Sequence, residues 1–185
     1  MDNLVKIFKD LVTIDSPTGH EDKMADFLVD YFSQKNIKAE KDKIGNVFVQ
    51  VEGTEEPFFI SAHMDTVEPG AGIVAEVVDG AIRSKTQTIL GADNKATIAV
   101  ILETIERLKT MDHRTLEILF TVGEEAGGNG VKNCDYTRLH AKKGLIADIS
   151  LPVVSGVLAS PASIIYAEGL IGASGHAPVP EHAHG

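Results

Sequence analysis

Six residues of this 185-residue chain combine types and positions that could do chemistry: His63, Asp65, Asp93, Glu124, Glu125 and Asp148. His63 and Asp65 follow the apolar run Phe58 to Ala62, Glu124 and Glu125 follow an alternating segment ending at Val122, Asp148 follows Leu145 to Ala147, and Asp93 opens a helical pattern. Imidazole nitrogen and carboxylate oxygen are the donors zinc accepts, and a ligating histidine normally donates its second ring N–H to a carboxylate, which Asp65 could offer. Clustered carboxylates repel one another without a cation. A pair of divalent ions bridged by one carboxylate would neutralise them and leave another free as a general base for an attacking water. The adjacent Glu124 and Glu125 suit that division, since neighbouring side chains point in different directions. Taken singly each residue has a plain explanation: Asp93 as a helix N-cap, the glutamate pair as a solvated loop, Asp148 as a strand end. Together they predict a metal site or an acid/base site.

The elements that must position these residues follow from periodicity. Leu4, Phe8, Leu11 and Val12 recur at helical spacing up to the breaker Ser16-Pro17-Thr18-Gly19. Thr18 and Glu21 have the spacing of a capping box for a second helix, with Met24, Phe27, Leu28, Tyr31 and Phe32 on one face. Val47, Val49 and Val51 then alternate as a strand, Phe58 to Ile60 form another, and Asp79-Gly80 predicts a hairpin turn. Ile98, Ile101, Leu102, Ile105 and Leu108 mark a third helix; Leu116, Ile118, Phe120 and Val122 mark a further strand; Leu145 to Ala147 mark a short one. Helices interleaved with short apolar strands predict an α/β fold, a mixed and largely parallel sheet with helices on both faces. In such sheets ligands bind outside the carboxyl ends of the strands, where five of the six residues fall, Asp93 standing at a helix start.

Composition narrows the function classes. With 43% hydrophobic and 24% charged residues, the chain has globular proportions. Seventeen basic against 27 acidic side chains give a net charge of −10, which opposes nucleic acid and anionic membranes as partners. Leu145 to Ala167 is apolar on average but carries Asp148, Pro152 and Pro161, so it reads as soluble strands and turns, not a membrane span. A single cysteine, Cys134, and no apolar signal segment make a cytoplasmic location the expectation. Gly127-Gly128-Asn129-Gly130 lacks the lysine and spacing of a phosphate loop; these glycines fit a tight turn past the acidic pair.

Three segments resemble the successive signatures of the di-zinc exopeptidases that include peptidase T and glutamate carboxypeptidase: Ser61-Ala62-His63-Met64-Asp65-Thr66-Val67, Thr88 to Ala96 around Gly91-Ala92-Asp93-Asn94, and Thr121-Val122-Gly123-Glu124-Glu125. The nearest likeness is to peptidase T and its tripeptide-cleaving relatives. The resemblance implies that His63 and Asp148 hold one zinc, Asp93 bridges to a second, Glu125 binds that second ion, Asp65 orients His63, and Glu124 is the general base. It also implies a cis peptide at Asp93-Asn94. The implied activity is hydrolysis of peptide bonds in short peptides by a metal-bridged water, with a small peptide as substrate and a homodimer as the assembly.

Residues 1–155 resemble the first part of the catalytic domain and 156–185 the start of a lid, in which Gly172 to Ala177 and Pro180-Glu181 resemble a lid motif and His176 a substrate-binding histidine. The family's remaining ligand to the second zinc lies beyond that point, so the second site is expected to be incomplete in this chain, with His182 and His184 as the substitutes at hand. The expected alternatives are a catalytically inactive metal-binding fragment or remnant, and a related amide hydrolase such as a carboxypeptidase or deacylase.

Overall fold

The computed structural model describes residues 2–148. The expected lid segment, His176, His182 and His184 lie outside the described residues.

Helix α1 (Asp2–Val12) and helix α2 (Asp22–Ser33) precede strands β1 (Lys38–Lys41), β2 (Val47–Val51) and β3 (Glu55–His63). A hairpin of β4 (Ala75–Val78) and β5 (Ala81–Ser84) follows, then helix α3 (Ala92–Leu108), strand β6 (Arg114–Thr121), the short helix α4 (Asn129–Lys132), a 3₁₀ turn (Tyr136–Arg138) and strand β7 (Gly144–Ile146). Asp79 and Gly80 both take positive φ in the β4–β5 turn, the conformation that closes a two-residue hairpin.

The main sheet has the order β1-β2-β6-β3-β7. β6 pairs with β3 and β3 with β7 in parallel, whereas β2 is antiparallel to both its neighbours. Only β2 therefore runs against the others, and the sheet is mixed and largely parallel as predicted. Alternation assigns the two faces. Val47, Val49, Val51, Ala62, Leu116, Ile118 and Phe120 point into the main core, where they meet Leu11, Leu28, Phe32, Ile98 and Leu102 from the three long helices. Phe48, Phe59 and Leu119 point the other way, against Cys134, Leu139 and Ala141, and the guanidinium of Arg138 in the 3₁₀ turn stacks 4.0 Å above Phe48. That second face is covered by short helical turns in place of long helices.

Two local expectations change. β1 is absent from the sequence reading because Lys38-Ala39-Glu40-Lys41 has no apolar alternation; it forms as an edge strand through its pairing with β2. The capping box is not made either. Glu21 stands at the N-cap of α2 without a side-chain capping bond, because Thr18 and Glu21 are both engaged elsewhere. Among the described residues no helix is long and apolar enough to cross a membrane.

Candidate metal and acid/base site

The parallel strands β3, β6 and β7 end together. His63 lies level with Thr121 in the register, and Ser61 lies level with Ile146, so the segments 63–65, 122–125 and 147–148 emerge side by side at one sheet edge. α3 brings the fourth segment. Its Thr97 hydroxyl donates to the Ala147 carbonyl at 2.8 Å, tying the helix start to the end of β7. Gly91 turns the chain into α3 with a left-handed φ of 69°, and the Asp93-Asn94 peptide is cis, as the resemblance implied. Asp93 does not cap the helix. Its Oδ1 lies 2.9 Å from His63 Nε2.

His63 is the centre of the arrangement. Its buried ring has Nε2 facing Asp93 at 2.9 Å and Asp148 Oδ1 at 3.6 Å, while Nδ1 faces the Asp65 main-chain carbonyl at 2.9 Å and the Asp65 carboxylate at 3.4 Å. The shorter contact to Asp65 is therefore through the backbone. Among the described residues two groupings could hold a metal ion, His63 with Asp93 and Asp148, and His63 with Glu124 and Glu125; within each, one donor atom per residue lies within 4.8 Å of the others. Five predicted ligand or base residues are thus brought together, and Asp65 stands behind His63.

Asp65 is fully buried, and its carboxylate does more than face the histidine. Oδ1 accepts the main-chain N–H of Glu124 at 3.0 Å; Oδ2 accepts that of Glu125 at 3.1 Å and the Thr18 hydroxyl at 3.0 Å. Burial pushes the Asp65 carboxyl up, but His63 and the two N–H groups outweigh it and hold the group below the usual range.

Electrostatics fit a cation. Burial alone would discharge His63, yet the carboxylates of Asp148 and Asp65 raise its pKa to about 11, so without metal an imidazolium supplies the missing positive charge. Glu124 is 7% exposed, and burial first, then the neighbouring Asp148, Glu125 and Asp65, raise its pKa to about 7 against the opposing pull of His63. Its Oε1 is buried with no hydrogen-bond partner among the described residues. One imidazole, several carboxylates and an unmatched carboxylate oxygen make a donor set suited to a divalent ion.

The loop carrying Glu124 is pinned from behind. Asn46 is fully buried; its Oδ1 accepts Val122 N–H at 3.2 Å, and its Nδ2 donates to the Gly130 carbonyl at 3.1 Å and to Asp42 at 2.9 Å. Only glycine fits at 130, where a Cβ would collide with Asn46 and the Val122 carbonyl. A cleft of about 340 Å³ adjoins this loop, lined by Thr18, Glu21, Ile44, Gly123 and Asn129 among others. The sequence reading missed Ser16, Thr18, Glu21, Asn46 and Lys95 as parts of the site. The Thr18/Glu21 spacing was a signal, but a helix cap explained it equally well.

Known proteins of similar sequence share this fold. The chain is 34% identical to the Bacillus subtilis protein YqjE over 95% of its own length and 51% of that relative's. Among solved structures, the aminopeptidase PepT from Bacillus cereus is 36% identical with a TM-score of 0.77, over 80% of this chain and 43% of that one. A tripeptidase from Staphylococcus aureus is 31% identical with a TM-score of 0.78, over 81% of this chain and 44% of that one. The chain thus spans about half the length of these proteins. Residues 59–156, from within β3 to beyond Asp148, match the family model described as peptidase family M20/M25/M40. With His63, Asp93, Glu124, Glu125 and Asp148 gathered within that span, the chain belongs to this peptidase family.

Proposed function

We propose that this chain forms the metal-holding part of a zinc-dependent exopeptidase that hydrolyses peptide bonds in short peptides, in the manner of the tripeptidases it is similar to, with turnover of cytoplasmic peptides as its setting. The observation that carries the reading is Glu124: a buried carboxylate beside His63, with one oxygen unmatched and its main-chain N–H fixed on Asp65. A carboxyl so held, raised above its ordinary range first by burial, can take a proton and give it back.

His63, Asp93 and Asp148 would hold one divalent ion; by the resemblance, Glu125 together with Asp93 would hold a second. Bound metal would supply Lewis-acid polarisation of the scissile carbonyl and a more acidic water. Glu124 accepts the proton of the attacking water as its oxygen bonds to the carbonyl carbon. As the C–N bond breaks, Glu124 returns that proton to the leaving amine. Asp65 keeps the Glu124 carboxylate in place through its backbone and turns His63 Nε2 toward Asp93 and Asp148.

A second reading has its own observation. Both metal groupings draw on His63. With that imidazole committed to one ion, the second grouping among the described residues is left with the adjacent carboxylates Glu124 and Glu125, which favours a chain that binds one metal and does not turn over. Zinc titration with hydrolysis of a tripeptide separates the two. Two ions and turnover that is lost in Glu124→Gln support the peptidase; one ion and no turnover support the inactive reading. Comparing a tripeptide with its N-acetylated and C-amidated forms tells an aminopeptidase from a carboxypeptidase or deacylase.

A further inference from the structure

Residues 14–21 join α1 to α2 and, by sequence, look like a breaker with a helix cap. In space they touch three of the segments that carry site residues: the start of α3 beyond Asp93, residues 64–66, and the acidic loop at 123–125. Lys95, wholly buried two residues beyond Asp93, donates from Nζ to the Ile14 carbonyl at 2.7 Å. Ser16 donates to the Met64 carbonyl at 2.8 Å and accepts Thr66 N–H at 3.0 Å, and Thr18 N–H donates to the Thr66 carbonyl at 3.2 Å. The segment therefore runs as a strap beside residues 64–66. Its two side chains Thr18 and Glu21 then reach the acidic loop: Thr18 donates to Asp65 Oδ2, and Glu21 Oε1 accepts both Gly19 N–H and Gly123 N–H at 3.0 Å.

The outcome is a run of three consecutive main-chain N–H groups, at 123, 124 and 125, that end on two buried carboxylates, Glu21 for the first and Asp65 for the next two. Glu21 is 6% exposed, and among the described residues no lysine, arginine or histidine forms an ion pair with it. Burying a carboxylate without a cation is costly unless N–H donors satisfy it, and those donors are Gly19 and Gly123. A helix cap would be served as well by an exposed serine or aspartate and would not need that burial.

We propose that Thr18 and Glu21 are positioning residues that hold the Gly123–Glu125 backbone and thereby aim Glu124 and Glu125, the strap acting as one brace for the acidic loop, residues 64–66 and the start of α3. The proposal rests on the peptidase reading for what Glu124 does, but the bracing itself is a property of the metal-free chain. Partners of this kind commonly change metal affinity by about 10–100-fold when removed.

The test is amide hydrogen exchange on the full 185-residue chain without metal, joined to Co²⁺ titration. Thr18→Val removes the hydroxyl at nearly constant shape; it should speed exchange at Glu125 about tenfold or more and weaken Co²⁺ binding by a similar factor, and Thr18→Ser should restore both. Glu21→Ala should do the same at Gly123 and Glu124, with Glu21→Gln restoring most of the protection because its amide oxygen still accepts. Core amides such as Ile118 should keep their protection in all four variants. The proposal is overturned if Thr18→Val leaves exchange at 123–125 and Co²⁺ affinity unchanged, or if protection falls equally at Ile118. If Glu21→Ala does not fold, the Thr18 pair alone decides the matter. A wild-type chain that cuts no peptide would sink the peptidase reading while leaving the exchange result to stand for the brace.

Discussion

The main-chain N–H of Glu124 ends on the carboxylate of Asp65, 3.0 Å away, although 59 residues separate them. The same carboxylate faces His63 and takes the N–H of Glu125, so one buried aspartate sets the histidine and the acidic pair in a single frame. Asp65→Ala should therefore lower stability and metal binding together. Each buried N–H left without an acceptor costs about 1–3 kcal/mol, and urea denaturation of the metal-free chain should register at least that loss. Zinc affinity, read by calorimetry, should fall about 10–100-fold; unchanged affinity would remove Asp65 from the site.

Glu124→Gln should separate proton transfer from metal holding. Loss of a general base lowers turnover by about 10²–10⁴-fold, and bound zinc, measured on the purified variant, should remain. Loss of metal together with activity would make Glu124 a ligand and not a base.

Metal-free and metal-loaded chains should respond oppositely to pH. The Glu124 carboxyl has a folded pKa of about 7, above its unfolded value, so its contribution to stability falls as pH rises from the ordinary carboxylate range to 7. His63, raised to about 11, contributes stability that is complete below its unfolded pKa and declines as pH climbs through the folded value. The metal-free melting temperature should therefore drop between pH 5 and 8. Zinc must displace the imidazolium proton, so its affinity should increase over the same range. Calorimetry in two buffers of different ionisation enthalpy should find proton release on binding, and a proton count of zero at pH 7 would contradict the charged His63.

Asn46→Ala removes the acceptor of Val122 N–H and a donor to Gly130 without touching a proposed ligand. A stability loss of about 1–3 kcal/mol is expected, with Gly130→Ala similar through its clash with Asn46. Both variants should also bind zinc more weakly, because the loop from Val122 carries Glu124 and Glu125. Full zinc affinity in a destabilised Asn46→Ala would confine this residue to the fold.

Much of the site was legible because its residues sit where hydrophobic periodicity changes. The apolar run 58–62 stops just before His63, the alternation 116–122 stops just before the acidic pair, and α3 begins at Ala92, so the sequence alone marked His63, Asp93 and Glu124 as element-end residues. β1 was not legible, since its charged residues become a strand only by pairing with β2. Thr18 and Glu21 were legible as polar residues of a helix start but were assigned the wrong partners. A local motif such as a capping box competes with contacts from residues over a hundred positions away, and nothing in the spacing reveals which wins.

By itself the sequence determined the donor chemistry, one histidine among carboxylates, and the alternating α/β pattern that sends those residues to the carboxyl ends of strands. Tertiary structure decided which donors meet and what holds them. Parallel pairing brought the ends of β3, β6 and β7 level; the strap of residues 14–21 tied the first two to the start of α3, and Thr97 tied the third. The reason is physical: ligand identity is a local property of side chains, whereas the direction of a carboxylate depends on buried N–H and O–H groups supplied by distant parts of the chain.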